Sequence, residues 1–310
     1  MHIRVLGSAA GGGVPQWNCA CPNCRAARDN PHLRRFQASV AVSADGERWL
    51  LANVTPDIRH QIDLFEKLAP HAARRSPIAA VALTDANIDH ALGLLELRQA
   101  ERLSVYSTET VRDVVLAGSS ALRVFSKPPH EWHIIADSPV HVNDASGLPM
   151  GLRVRAIDVG GLTPQYDGGR QATGATSAIL ISDGTERMVY APTLGTINNT
   201  LSRELALADA AFLDGTFFTD HELSMQALGT RTARQMGHLP VSGDGGILHA
   251  VTGLGGKHRY FTHINNTNPV LDPMSDAARA VREAGWALAE DGFTFTLSRD
   301  SGDSTGVRNQ

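Results

Sequence analysis

Thr84-Asp85-Ala86-Asn87-Ile88-Asp89-His90 follows directly on an apolar run, 79–83, and precedes a stretch, 90–98, whose apolar residues recur at helical spacing. The segment therefore reads as the turn of a strand–turn–helix unit. A loop at the carboxyl end of a strand holds side chains on a rigid support and aims several of them at one point. Asp89 and His90 are adjacent, so such a turn brings both to one metal ion. On local grounds a plainer reading stays open, in which Asp89 caps the helix and His90 is simply half-buried.

Two further strand ends carry similar residues. Phe261-Thr262-His263-Ile264-Asn265-Asn266-Thr267-Asn268-Pro269 sets a histidine after a β-rich run, although Asn and Pro suit a turn by themselves. Phe212-Leu213-Asp214-Gly215-Thr216 ends a strand on an acid, which in many proteins only caps a turn. Strands are expected at 2–6, 38–42, 49–53, 79–83, 104–106, 152–157, 178–182, 188–190, 211–213 and 260–262. Helices are expected at 58–68, 90–98, 111–116, 202–208 and 275–284, the first from Ile58, Ile62, Phe65 and Leu68 on one face. Asp45-Gly46 between 38–42 and 49–51 marks a hairpin. Hairpins mixed with strand–helix units favour an α/β fold of two packed sheets covered by helices. The stretch 126–151, rich in Pro and His, reads as an insertion or loop cluster, and 160–174, with Tyr166 among glycines, as a mobile pocket wall. No shift of composition divides the chain, so one domain is expected over 1–297 with a frayed tail at 298–310.

Bulk properties exclude several classes. A formal charge of −4 and a pI near 6.3 leave no basic footprint for nucleic acid. No apolar run approaches the roughly 18–20 residues that span a bilayer. The start, Met1-His2-Ile3-Arg4-Val5-Leu6, lacks the apolar region of a signal peptide, and a cytoplasmic protein is expected. All three cysteines lie in Cys19-Ala20-Cys21-Pro22-Asn23-Cys24. Loops that short strain a disulfide. Three soft thiolates instead suit a structural, tetrahedral zinc, whereas an iron–sulfur cluster asks for a fourth cysteine. The glycines at 7–13 match no phosphate-cradling pattern and are read as allowing a tight chain path beside a metal pocket.

With Asp89-His90 in register, the opening segment resembles the His-x-His-x-Asp-His motif of metallo-β-lactamase-fold hydrolases, Asp85 and Asn87 standing where the two leading histidines would be. That resemblance implies a four-layer αββα sandwich. Longer strings cover nearly the whole chain: Gly7-Ser8-Ala9-Ala10-Gly11-Gly12-Gly13-Val14-Pro15-Gln16-Trp17-Asn18-Cys19, Ile88-Asp89-His90, Gly229-Thr230-Arg231-Thr232, Met236-Gly237-His238 and His263 through Pro269. They resemble the pyrroloquinoline quinone (PQQ) biosynthesis protein B family. The ligand set Asp89, His90 and His263 is similar to the facial triad of non-haem Fe(II) oxygenases, and zinc fits the same atoms.

The family resemblance implies an Fe(II)- and dioxygen-dependent hydroxylase of the tyrosine moiety in a peptide-derived glutamate–tyrosine precursor, with zinc as a metal found on purification. Asp214 would be a further ligand or an orienting acid. Asp85 and Asn87 would face the substrate, and His238 would move a proton or sit as a loop histidine. Arg231 and Arg234 would pair with substrate carboxylates or remain ordinary surface residues. The fourth ligand of the cysteine zinc stays open: some superfamily relatives use a histidine three residues after the last catalytic one, here Asn266, and His238 is another candidate. Other PQQ-pathway proteins and a second copy of the chain are partners compatible with this picture. Two other functions remain: a carrier of PQQ or its precursor, and a zinc hydrolase that trims the precursor.

Overall fold

The structure, a computed structural model, describes residues 1–144, 146–254 and 258–298; apart from Ser298, the expected tail at 298–310 lies outside them. Strands form where β-branched and other apolar residues run between polar turns. In chain order they are β1 (His2–Gly7), β2 (Ser39–Ser43), β3 (Trp49–Ala52), β4 (Ile78–Ala82), β5 (Ser104–Ser107), β6 (Glu131–Ile134), β7 (Val140–Asn143), β8 (Pro149–Asp158), β9 (Ser177–Ser182), β10 (Arg187–Ala191), β11 (Ala210–Asp214), β12 (His258–Thr262), β13 (Ala287–Leu288) and β14 (Thr294–Thr296). They build two seven-stranded sheets, ordered β14-β1-β2-β3-β4-β5-β6 and β13-β12-β11-β10-β9-β8-β7. Each sheet is antiparallel on one side and parallel on the other: β3 to β6 in the first, β10 to β13 in the second.

Alternation along the strands explains the layering. Ala80 and Ala82 of β4 face Met188 and Tyr190 of β10 and Phe212 of β11 in the core between the sheets. Val81 points the other way, as does Ile78 beyond a register shift between β3 and β4, into a core closed by Val111, Val114 and Val115 of the helix Glu109–Gly118. On the far side, Ala211 and Leu213 pack under the helices Asn199–Leu207 and Asp276–Glu283. The result is the αββα sandwich, with sheets buried on both faces. No helix among the described residues is long and apolar enough to cross a membrane.

Three expectations need correction. The expected helix 58–68 is a helix, Ile58–Asp63, followed by a separate 3-10 turn, Glu66–Leu68. The expected helix 90–98 is broken into Ile88–Ala91 and Leu94–Leu97. Gly93 sits at the break because the chain passes against Thr55, where an added Cβ would lie 2.2 Å from a backbone oxygen. The stretch 126–151 holds no loop cluster alone: it carries β6, β7 and the start of β8, and takes the chain from the edge of one sheet to the edge of the other. The expected hairpin is present, β2 pairing antiparallel with β3 and Gly46 at a φ of 79°.

The same topology makes a rim. Beyond β4 the chain turns into 84–90, and Ser177 N–H donates to Thr84 O at 2.8 Å, joining the two sheets there. β11 and β12 are parallel neighbours with Asp214 opposite Thr262, so Asp214 and His263 emerge side by side.

Candidate metal centre

His90 is fully buried, and its Nδ1 lies 2.8 and 2.9 Å from the two oxygens of Asp85. A carboxylate only accepts, so Nδ1 carries a hydrogen and Nε2 is the atom left for a cation, whether proton or metal. That Nε2 is buried with no hydrogen-bond partner, and it faces Asp89 Oδ2 at 3.7 Å. His263 Nε2 lies 3.0 Å from the same oxygen. The two rings stand edge to face with centroids 4.8 Å apart. His263 reaches this position from a left-handed backbone, φ 57°, immediately after β12. A non-glycine residue held there stores about 1–3 kcal/mol of strain that the surroundings must offset. Part of the support comes from the glycine-rich segment: Ala10 N–H donates to Ile264 O and Ile264 N–H to Ser8 O, both at 2.9 Å. Gly11 lets the chain pass so close that an added Cβ would meet Asp89 Oδ2 at 3.2 Å.

Behind His263 lies a second group. Asp214 Oδ2 accepts from Leu194 N–H at 2.9 Å and faces His238 Nδ1 at 2.7 Å, while Oδ1 accepts from Thr216 N–H at 3.0 Å and its hydroxyl at 2.6 Å. The Thr216 Oγ1 is also 2.8 Å from His263 Nδ1. Ligand atoms of Asp89, His90 and His263 lie within 4.8 Å of one another, as do those of Asp214, His238 and His263. Burial favours a neutral His90, but the charges of Asp85 and Asp89 outweigh it and raise the imidazole to about 9. Burial likewise opposes the Asp89 carboxylate, yet His90 and His263 hold it well below the usual range. A buried nitrogen without a partner, converging donors and a field that favours positive charge all fit a metal cation here.

The sequence-expected residues divide as follows. Asp89, His90 and His263 come together, and Asp214 and His238 adjoin them. Asp89 lies inside the helix Ile88–Ala91, with its carboxylate turned to His263; Asn87 holds the N-cap position and makes no side-chain cap bond. Asp85 does not face a substrate: it has no exposed surface and is spent on His90 and on the N–H and Nδ2 of Asn87, each at 2.9 Å. Arg231 and Arg234 are exposed and donate to backbone oxygens of their own loop, Gln235 and Asp244–Gly245 respectively. The wall 160–174 is tied down by Tyr166 O–H to Ala86 O at 2.5 Å, Thr108 Oγ1 to Gly174 O and Thr110 Oγ1 to Thr173 O. Sequence reasoning missed Thr216, for which the hydroxyl two residues after a strand-end acid was the available signal; it placed Tyr166 in the wall but not its bond to Ala86.

The thiols of Cys19, Cys21 and Cys24 also lie within 4.8 Å of one another. Burial pushes the Cys24 thiol up to about 11, a cost that a bound cation would remove. His238, in the other group, is not their fourth partner. Asn266 is beside them instead, its Nδ2 3.3 Å from Cys24 Sγ and 3.6 Å from Cys21 Sγ.

Two packed, helix-covered sheets with metal-competent residues at the strand ends are the architecture of the β-lactamase superfamily, and the family described as Beta-lactamase superfamily domain matches residues 48–264. The coenzyme PQQ synthesis protein B of Methylobacterium sp. (strain 4-46) is 42% identical over 309 residues, covering 96% of this chain and 100% of that protein. Its counterpart in Methylobacterium nodulans is 41% identical with the same coverage. The crystal structure of Zn(2+)-bound PqqB from Methylobacterium extorquens superposes with a TM-score of 0.87 at 36% identity, over 96% of this chain and 100% of that one. The chain belongs to the coenzyme PQQ synthesis protein B family.

Proposed function

We propose that the protein acts in PQQ biosynthesis as an Fe(II)-dependent hydroxylase of the tyrosine moiety in a peptide-derived glutamate–tyrosine precursor. The observation that carries this is the donor set: the buried, unpartnered Nε2 of His90, the Nε2 of His263 and one oxygen of Asp89. Two imidazoles and one carboxylate leave positions open for dioxygen and substrate. Asp89, His90 and His263 would hold Fe(II), which would supply the activation of dioxygen needed to hydroxylate an aromatic C–H bond. In such a hydroxylation one oxygen atom would enter the ring and the other would leave as water, with two electrons from an external reductant and two protons from solvent.

The remaining roles fall to the chain. Asp85 orients His90 through Nδ1, the work of an outer-shell carboxylate. Asp214 holds His238 through Nδ1 and leaves Nε2 as the atom that exchanges a proton with the phenol. The strap 160–174 covers the loop 84–88 through Tyr166 and restricts water. Cys19, Cys21 and Cys24 hold a structural zinc, with Asn266 beside them.

The PqqB structure named above carries Zn(2+), which favours a second reading: zinc on the same atoms, activating water to hydrolyse the precursor. The deciding experiment is mass spectrometry of a cross-linked glutamate–tyrosine substrate with Fe(II)-loaded protein in labelled dioxygen. Label in the ring is the expected result, and His263→Ala should abolish it. Cleavage with oxygen from water would replace hydroxylation by hydrolysis. Unchanged substrate with iron bound would leave a carrier of PQQ or its precursor.

A further inference from the structure

Thr216 stands among three groups of the centre. Its Oγ1 is 2.6 Å from Asp214 Oδ1, 2.8 Å from His263 Nδ1 and 3.1 Å from His238 Nδ1, and the residue is 3% exposed. A hydroxyl has one hydrogen to give and two lone pairs with which to accept. Asp214, an acceptor only, takes that hydrogen at the shortest of the three distances. What the hydroxyl then offers His263 is a lone pair, so His263 Nδ1 must carry a hydrogen. Its Nε2 is left with the free pair, 3.0 Å from Asp89 Oδ2, which is likewise an acceptor. Two acceptors face each other across the position where a cation would lie.

We infer that Thr216 is a positioning residue: its hydroxyl sets the tautomer of His263, so that Nε2 is free to bind the metal. The inference rests on the assignment of Asp89, His90 and His263 as the metal centre, and not on hydroxylation. The state imposed is the less common one, because a histidine side chain in water carries its hydrogen mostly on Nε2. Without the hydroxyl, the ligating atom would hold a proton that must leave before metal enters. Asp85 does the same for His90, but with a charged acceptor; on the His263 side the carboxylate of Asp214 acts one bond further away, through Thr216. Orientation and affinity are thereby tied to Asp214 without Asp214 having to touch the metal. Turn-capping alone is already served by Thr216 N–H, which donates to Asp214 Oδ1 at 3.0 Å, so it leaves the hydroxyl unexplained.

The test compares Thr216→Val, which keeps the shape and removes the hydroxyl, with Thr216→Ser, which keeps the hydroxyl. In metal-free protein, nitrogen NMR of labelled histidines reads the tautomer of His263. Competition with a chelator reads the affinity for Fe(II) and for Zn(II) separately. Thr216→Val should move His263 toward Nε2–H and weaken both metals by roughly 10–100-fold, the usual effect of losing an outer-shell partner. Thr216→Ser should restore both readings. Parental affinity and an unchanged tautomer in Thr216→Val would overturn the assignment, as would a folded Thr216→Ser that binds no better than Thr216→Val. If Thr216→Val does not fold, Thr216→Ala against Thr216→Ser puts the same question. Thr216-dependent metal binding in a protein that incorporates no label from dioxygen would refute hydroxylation and leave Thr216 in this role.

Discussion

Asp85 shows how a residue that resembles a lost ligand can serve the ligand beside it. In the motif it occupies the place of a metal-binding histidine; in the fold it grips His90 Nδ1 with both oxygens from a site with no solvent. Asp85→Asn keeps the size but lets an amide N–H face Nδ1, so metal affinity should fall roughly 10–100-fold by chelator competition. Glu222 is another buried acid, 4% exposed, accepting from Phe218 N–H at 2.8 Å and Thr267 Oγ1 at 2.7 Å. Burial outweighs these bonds and raises its carboxyl from 4.5 to about 7. A folded pKa above the unfolded one means the folded state holds the proton more tightly. The protonated form thus favours folding fully below pH 4.5, and that advantage is lost as the pH rises through 7. Glu222→Gln should therefore unfold at higher denaturant than the parent at pH 8.5, by at most about 3 kcal/mol, and the gap should close near pH 4.5. Asp89 and His90 were readable as a site because adjacency and a strand end are features of sequence. The partner of His90 was not, since nothing in the spacing tells which way a buried carboxylate turns.

Among the elements, legibility follows burial. β4 and β11 are covered on both faces, so they appear as unbroken apolar runs, and their ends could be found to within a residue or so. β6 and β7 are edge strands, with Glu131, Ile134 and His141 exposed, and prolines stand nearby at 128, 129, 139 and 149. Their half-polar pattern looks like loop, and only pairing with β5 and β8 makes them strands. The helix break at Gly93 was hidden for a similar reason, because the neighbour that requires glycine comes from residue 55. The strap 160–174 was expected to be mobile from its glycines; its Tyr166 hydroxyl donates to Ala86 O, and its Thr173 and Gly174 carbonyls accept from the hydroxyls of Thr110 and Thr108. Tyr166→Phe removes one of these bonds at a cost of about 1 kcal/mol. Hydrogen exchange should quicken in 84–88 and 160–174 together, while metal affinity stays at the parental value. Quickening confined to 160–174 would mean that the tyrosine does not hold the metal-bearing loop.

At the scale of the molecule, the centre is shared between halves. Asp89 and His90 follow β4 in one sheet; Asp214, His238 and His263 come with the other. Neither sheet carries the set alone, so metal binding and the docking of the sheets support each other. One short loop extends this sharing. His263 enters the metal centre and, three residues later, Asn266 touches the thiols of Cys21 and Cys24. A single short segment thus touches both groups of donors, and if each group holds its ion any linkage between them is reciprocal: whatever factor zinc contributes to iron affinity, iron must return to zinc. Cys21→Ser should lower the zinc content and the melting temperature, and titration of the other site should then show weaker Fe(II) binding. Parental iron affinity in zinc-depleted protein would mean the two ions ignore each other. If the linkage holds, the cysteine claw is more than a fastener: zinc supply to the cell would govern how readily this protein takes up iron.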